Sequence, residues 1–139
     1  KQVPICLAAV FNLPSGDQPV DYFYNLPARL SKAGVKFCLT TNDAHNVRLL
    51  RDQAGWAAAY GLDREEAARI ITLRAAEVLG IDDRLGAIKV GLDGTVILTD
   101  GEITETKSQV LRAWIQGREV ELTNRQTRLY DKYRNRPKP

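Results

Sequence analysis

Two short strand-like runs constrain this chain more than anything else in it. Residues 3–10 (VPICLAAV) read as a nearly all-apolar strand of the kind buried on both faces of a parallel sheet, and residues 35–41 (VKFCLTT) as a second buried strand. Residues 12–19 between them form a Pro/Gly/Ser/Asp loop. A short helix then follows, with Asn25 as its cap, Pro27 in its first turn and Gly34 closing it. Strand, loop, helix and strand make a βαβ unit, right-handed by the general rule for such crossovers. A parallel pair cannot stand alone, because its faces and edges need covering. The chain therefore reads as something that assembles with other copies or chains, or as a part of a larger sheet.

The rest of the sequence changes texture once. A helical stretch of about fifteen residues is expected from Asn46 to Gly61, with Leu50, Ala54, Ala57 and Ala58 on its apolar side. Asp63, with Glu66 three residues on, opens a further helix carrying Ile70, Ile71, Leu73 and Leu79, stopped by Gly80. From Leu85 onward, Gly-bounded turns alternate with β-branched residues. Residues 109–115 (QVLRAWI) and 119–122 flank Gln116 and Gly117, a hairpin-type turn, so two or three antiparallel strands follow the helical part. Thr123 and Gln126 suggest a capping box for a last short helix, with Leu129, Tyr130 and Tyr133 as docking residues and a frayed end over 134–139.

Several function classes lose support at this stage. No apolar run approaches the roughly 20 residues of a membrane span, and residues 1–15 lack a signal-peptide plan, so no membrane contact is expected and the compartment is left open. The formal charge of +3 is a property of the tail: residues 125–139 carry six positive groups against one negative, and the remainder fourteen against sixteen. Basicity confined to a tail is not a nucleic-acid footprint; a solvated tail is expected, with an acidic partner as the alternative. Two cysteines are too few for a disulfide framework. Both lie in apolar runs, where a buried free thiol is expected, a disulfide or redox role being the alternative. Trp56 and Trp114 read as packing residues. A length of 139 residues fits one domain, yet there is no methionine and the first residue is Lys1, which reads as a processed end or as one piece of something longer.

Three long segments carry a family resemblance. AGVKFCLTTNDAHNVRLL, AGWAAAYGLDREEAARIITLRAAEVLGIDDRLGAIKVGLDGTVILTDGE and VLRAWIQGREVEL resemble the C-terminal third of metal-dependent amidohydrolases, in particular the imidazolonepropionase-like branch. PICLAAVFNLP and LTNRQTRLYDKY are similar to that branch too, so the resemblance covers about residues 3–133. It implies an α/β fold. Residues 1–84 would be the last two strands and helices of a (β/α)8 TIM barrel, whose whole runs to about 250 residues. Residues 85–122 would be strands of a small β-sandwich, and 123–139 a short C-terminal helix and basic tail. It also implies a divalent metal, zinc first, and hydrolysis of an amide-type C–N bond in the complete enzyme. The His-X-His pair, the bridging Lys or Glu and the later His ligands would lie on strands outside this segment. The implied partners are the N-terminal part of the barrel or another chain supplying it, a small-molecule substrate, and an oligomeric assembly.

One catalytic position of the family should fall inside the segment: the Asp at the end of the eighth strand, which ligates metal and takes a proton from the attacking water. Aligned on the usual L-x-T-D ending, that position is Asn42, with Asp43 next to it. Strand periodicity agrees, placing Val35, Phe37 and Leu39 on one face and Cys38, Thr40 and Asn42 on the other, smaller and more polar one. An Asn offers a carbonyl oxygen but no base. Asn42 and Asp43 are thus the candidate catalytic and metal-ligating residues, with a cap or turn role as the alternative for Asp43. His45 and Asn46 are candidate substrate contacts in the following loop, with loop and cap roles as their alternatives. Asp82, Asp83 and Arg84 read as a turn between the two parts. Where the family often reads PGKDADLV, this chain has Val90, Gly91, Leu92, Asp93, Gly94, Thr95 and Val96. That departure and Asn42 motivate a second reading, a non-catalytic pseudoenzyme or assembly module.

Overall fold

The computed structural model describes residues 3–8 and 10–134. The two apolar runs do pair in parallel: β1 (Ile5–Leu7) and β2 (Phe37–Leu39) align Ile5 with Phe37, Cys6 with Cys38 and Leu7 with Leu39. Helix α1 (Leu26–Lys32) lies between them in the chain. Both strands are shorter than the runs that announce them. Val10 sits in a turn, yet it is fully buried, so its apolar side chain serves the core and not the ladder. Asn25 occupies the N-cap position of α1 but makes no capping bond; its side-chain amide donates to Asp21 Oδ2 instead, at 3.2 Å.

One face of the β1–β2 pair carries the core. Leu7, Phe37 and Leu39 pack with Val10, Ala28 of α1, Ala54 and Ala57 of α2 (Leu50–Ala59), Leu62, Ala67 of α3 (Arg64–Arg69) and Ile70. Alanines at the α2 contact let that helix lie close to the sheet, and burying each large aliphatic here contributes about 1.5–3 kcal/mol. The expected helix from Asn46 begins instead as a single 3-10 turn, Val47–Leu49, before α2. The opposite face of the pair holds Cys6 and Cys38, of which Cys38 is buried and Cys6 is exposed.

The helix opened by Asp63 divides in two. Asp63 does cap α3, accepting from the Glu66 N–H at 3.0 Å, but the helix stops at Ile70 and α4 (Leu73–Leu79) starts afresh. The β-branched run Ile70, Ile71, Thr72 spends its polar groups elsewhere. The Ile70 carbonyl accepts the Leu39 N–H at 3.1 Å, and Thr72 Oγ1 donates to the Ala68 carbonyl at 2.8 Å. The break therefore satisfies part of the free edge of β2. Leu79, expected on the apolar side, is 66% exposed. Arg74 bridges Glu66 (2.8 Å) and Glu77 (3.2 Å), and Lys36 reaches Glu77 at 3.4 Å, tying α4 to α3 and to the start of β2.

Residues 85–122 supply a separate antiparallel sheet in the order β3 (Val96–Thr99), β4 (Val110–Ile115), β5 (Arg118–Val120). Gln116 and Gly117 make the expected tight turn, both at positive φ (50° and 75°), the geometry a two-residue hairpin favours. A bulge between Leu98 and Thr99 interrupts the β3–β4 ladder. Arg112 forms a two-pronged pair with Glu119 (2.7 Å for each bond) and lies 4.8 Å over the Trp114 ring, so Trp114 packs against a side chain of its own sheet. Arg84 pairs with Asp93 at 2.7 Å across the connection.

The last helix, α5 (Arg125–Tyr133), has its capping box one residue later than the sequence suggests. Asn124 accepts from the Thr127 N–H and Thr127 Oγ1 accepts from the Asn124 N–H, each at 2.9 Å. Asn124 is the residue with extended backbone there, which an N-cap requires, while Thr123 donates to Glu121. Leu129, Tyr130 and Tyr133 are exposed rather than docked into the core. The frayed end expected beyond Arg134 lies outside the described residues. No described helix is long and apolar enough to cross a membrane.

Candidate functional site

The C-terminal ends of β1 and β2 point the same way because the strands are parallel, and in such sheets ligands bind beyond those ends. Beyond β2 the chain runs Thr40, Thr41, Asn42, Asp43. Thr40 still belongs to the ladder, donating its N–H to the Leu7 carbonyl at 3.0 Å. The strand phase then ends. Asn42 has φ +51°, a left-handed conformation that Asn tolerates better than most residues, and its N–H turns back to Thr40 Oγ1 at 3.2 Å. The alternation that would aim Asn42 with Cys38 and Thr40 thus fails two residues too early, because a turn replaces the extended backbone it needs. Asn42 is exposed.

Asp43 closes that turn. Its Oδ1 accepts the His45 N–H at 2.8 Å, its Oδ2 accepts from Asn46 Nδ2 at 2.6 Å, and its carbonyl accepts from Thr41 Oγ1 at 3.1 Å. His45 Nδ1 lies 3.4 Å from Oδ1. The backbone bond from His45, aided by the Asn46 and His45 side chains, holds the Asp43 carboxyl below its ordinary pKa. Both oxygens are engaged and the anion is favoured, so Asp43 has little driving force to take up a proton near neutral pH. It serves the loop as an acceptor.

The structure brings three of the four candidate residues together. Asp43, His45 and Asn46 share one hydrogen-bonded loop, with Asn42 preceding it and turned out of strand register. The His45 side chain is 96% exposed. Asn46 precedes the 3-10 turn without capping it, since its amide is used on Asp43. The two threonine hydroxyls that hold the strand end are contributors that charge and metal-ligand patterns do not single out. Their signal is a hydroxyl two residues before the group it bonds.

Around the same end, the loop after β1 packs on α2 through aromatic rings. Phe11 meets Trp56 edge-on at 6.1 Å, and Tyr24 and Tyr60 lie 4.9 and 5.8 Å from Trp56. Trp56 is thus a packing residue as expected, though partly exposed. Among the described residues no three His, Cys, Asp or Glu side chains gather at metal-binding distance.

The sequence profile of the amidohydrolase family matches residues 20–121, most of the chain. The chain belongs to the amidohydrolase family. Among solved structures, an amidohydrolase from Thermotoga maritima is 28% identical, with a TM-score of 0.77 over 86% of this chain and 32% of that one. An adenosine deaminase from Xanthomonas campestris, solved with bound zinc, shares the fold at 21% identity and a TM-score of 0.54, over 78% of this chain and 32% of that one. A 5-methylcytosine deaminase from Klebsiella pneumoniae, liganded with phosphonocytosine, does so at 18% and 0.55, over 70% of this chain and 27% of that one. No curated protein matches the chain by sequence. The chain thus spans about a third of the length of the amidohydrolase-fold structures it resembles.

Proposed function

We propose that this chain is the C-terminal part of an imidazolonepropionase-like amidohydrolase whose complete form hydrolyses an amide-type C–N bond. In this reading residues 1–84 are the last two strands and helices of a (β/α)8 barrel, 85–122 are strands of the companion β-sandwich, and 123–139 are a terminal helix and tail. The observation that carries it is the match of 86% of this chain to 32% of an amidohydrolase structure at a TM-score of 0.77. A parallel pair with helices packed on one face and Cys6 exposed on the other is consistent with an isolated arc of such a barrel.

The residues present do not by themselves fit the family's metal. The sequence has a single His, and no group of three donor side chains gathers among the described residues. The missing donors belong to the other strands of the proposed barrel, supplied by an N-terminal part or by another chain. What this chain adds is the strand end at Asn42 and Asp43, an anionic loop that His45 and Asn46 hold in shape, and a place for a small-molecule substrate beside it. Neither nucleic acid nor membrane is a proposed partner, and an oligomeric assembly is.

Asn42 at the family's Asp position, and an Asp43 whose oxygens are both occupied, favour the second reading, a non-catalytic assembly module with the same fold. The natural assembly separates the two. Hydrolysis together with stoichiometric zinc, both lost in Asn42→Ala or Asp43→Asn, is the result expected of the enzyme. An assembly that holds no zinc and hydrolyses nothing supports the module.

A further inference from the structure

Cys6 and Cys38 face each other across the parallel ladder, in register, with Sγ atoms 3.7 Å apart. We propose that they are a redox-active thiol pair that closes to a cross-strand disulfide by exchange with low-molecular-weight disulfides. The inference stands on two side chains of this chain and does not depend on the function proposed above. Adjacent strands stand about 4.8 Å apart, inside the roughly 4.4–6.8 Å between Cα atoms that a disulfide spans. Side-chain rotation is therefore enough to bring the sulfurs together. Neither residue belongs to the main cluster packed between sheet and helices.

The two thiols are not equivalent, and the difference orders the chemistry. Cys6 is exposed, whereas Cys38 is 4% exposed, and its burial, with Cys6 beside it, pushes the Cys38 thiol up to about 11. Cys6 is accordingly the attacking group. Its thiolate attacks one sulfur of the reagent, forming a mixed disulfide and releasing one reagent thiol. Cys38 then loses its proton and attacks Cys6 Sγ, expelling the second reagent thiol. Two cysteine thiols are oxidised and the reagent disulfide is reduced to two thiols, which balances the exchange. The product clamps β1 to β2, immediately before the strand end at Thr40–Asp43.

The test is to expose the reduced full chain to oxidised glutathione, natively and in guanidinium chloride, quenching with an alkylating reagent and reading masses over time. The native chain should form the internal bond several-fold faster than the denatured one, in which the two cysteines are 32 positions apart along a flexible chain. Cys38→Ser should stop at a glutathione adduct on Cys6, and Cys6→Ser should leave Cys38 largely unmodified. An internal bond that forms no faster natively than in denaturant overturns the proposal, and so does adduct formation on Cys38 ahead of Cys6, or covalent dimers in place of the internal bond. The native-to-denatured comparison uses the unmodified chain, so it decides the matter even if a variant fails to fold.

Discussion

The α/β half and the antiparallel sheet of this molecule both carry aliphatic residues on their strands but use them differently. In the first half, Leu7, Val10, Phe37, Leu39, Leu62 and Ile70 are buried together against alanines of α1, α2 and α3. In the sheet, Ile97, Leu98, Leu111 and Ile115 are each about half exposed, and Ala113 is the buried apolar residue of its strands. What holds the sheet is its ladder, the Arg112–Glu119 pair, and a polar seam to α2 and α3. In that seam Arg51 donates to the carbonyls of Ser108 (2.7 Å) and Thr106 (3.2 Å), and Arg64 pairs with Glu102 at 2.8 Å. The lesson is that one half brings its own core and the other brings faces. A sheet that shows aliphatic residues and lacks a covering layer is the local sign of a part that packs against something more.

The most forceful way to break this comparison is to empty the same volume on each side. Ile70→Ala removes a fully buried side chain at the junction of β2, α3 and α4, and should cost about 2–5 kcal/mol in urea unfolding. Ile97→Ala, at 51% exposure, should cost less than about 1 kcal/mol. Equal losses would mean that the sheet has a hidden core. The seam is tested next. A Cβ on Gly55 of α2 would lie 2.3 Å from the Thr104 carbonyl oxygen, so Gly55→Ala must push the 102–108 segment off the helix. A loss of about 1–3 kcal/mol is expected, with hydrogen exchange rising first at the Thr106–Ser108 amides.

The βαβ order was legible because apolar runs, Pro27 and Gly34 are local signals, and so were the Asp63 cap and the Gln116–Gly117 turn. Three features were not, one because a distant partner overrode a local rule and two because a neighbouring side chain or a turn did. The division at Ile70 depends on the Leu39 amide, which no window around residue 70 contains. Asn25 and Asn46 look like caps by type, but Asp21 and Asp43 claim their side chains. At the candidate site, the strand phase along 35–41 runs as far as Thr40, and Asn42 leaves it because its backbone is left-handed. The turn role that stood as the alternative for Asp43 rests on local Asx chemistry rather than on distant contacts.

Smaller effects sharpen the comparison within the α/β half. Asp63→Ala removes the acceptor for the Glu66 N–H and should cost about 1 kcal/mol, less than any core truncation and more than a change in the exposed Asp43 loop. For Asp43 the expectation concerns pH. Its carboxyl titrates below the ordinary Asp value of about 3.9, so its contribution is fully present above that value and fades as pH falls through the lowered folded value. An NMR titration should show the depressed midpoint, and His45→Pro, which deletes the principal donor, should move it upward. A midpoint at or above the ordinary value would remove the turn from the account.

The claim at the centre is that this chain supplies one end of an amidohydrolase site without holding the metal alone. Zinc bound per chain, measured by equilibrium dialysis with elemental analysis, tests it most directly. The account predicts no stoichiometric zinc on the isolated chain and stoichiometric zinc once the strands of the N-terminal part are supplied. One tightly held zinc on the chain by itself would contradict it.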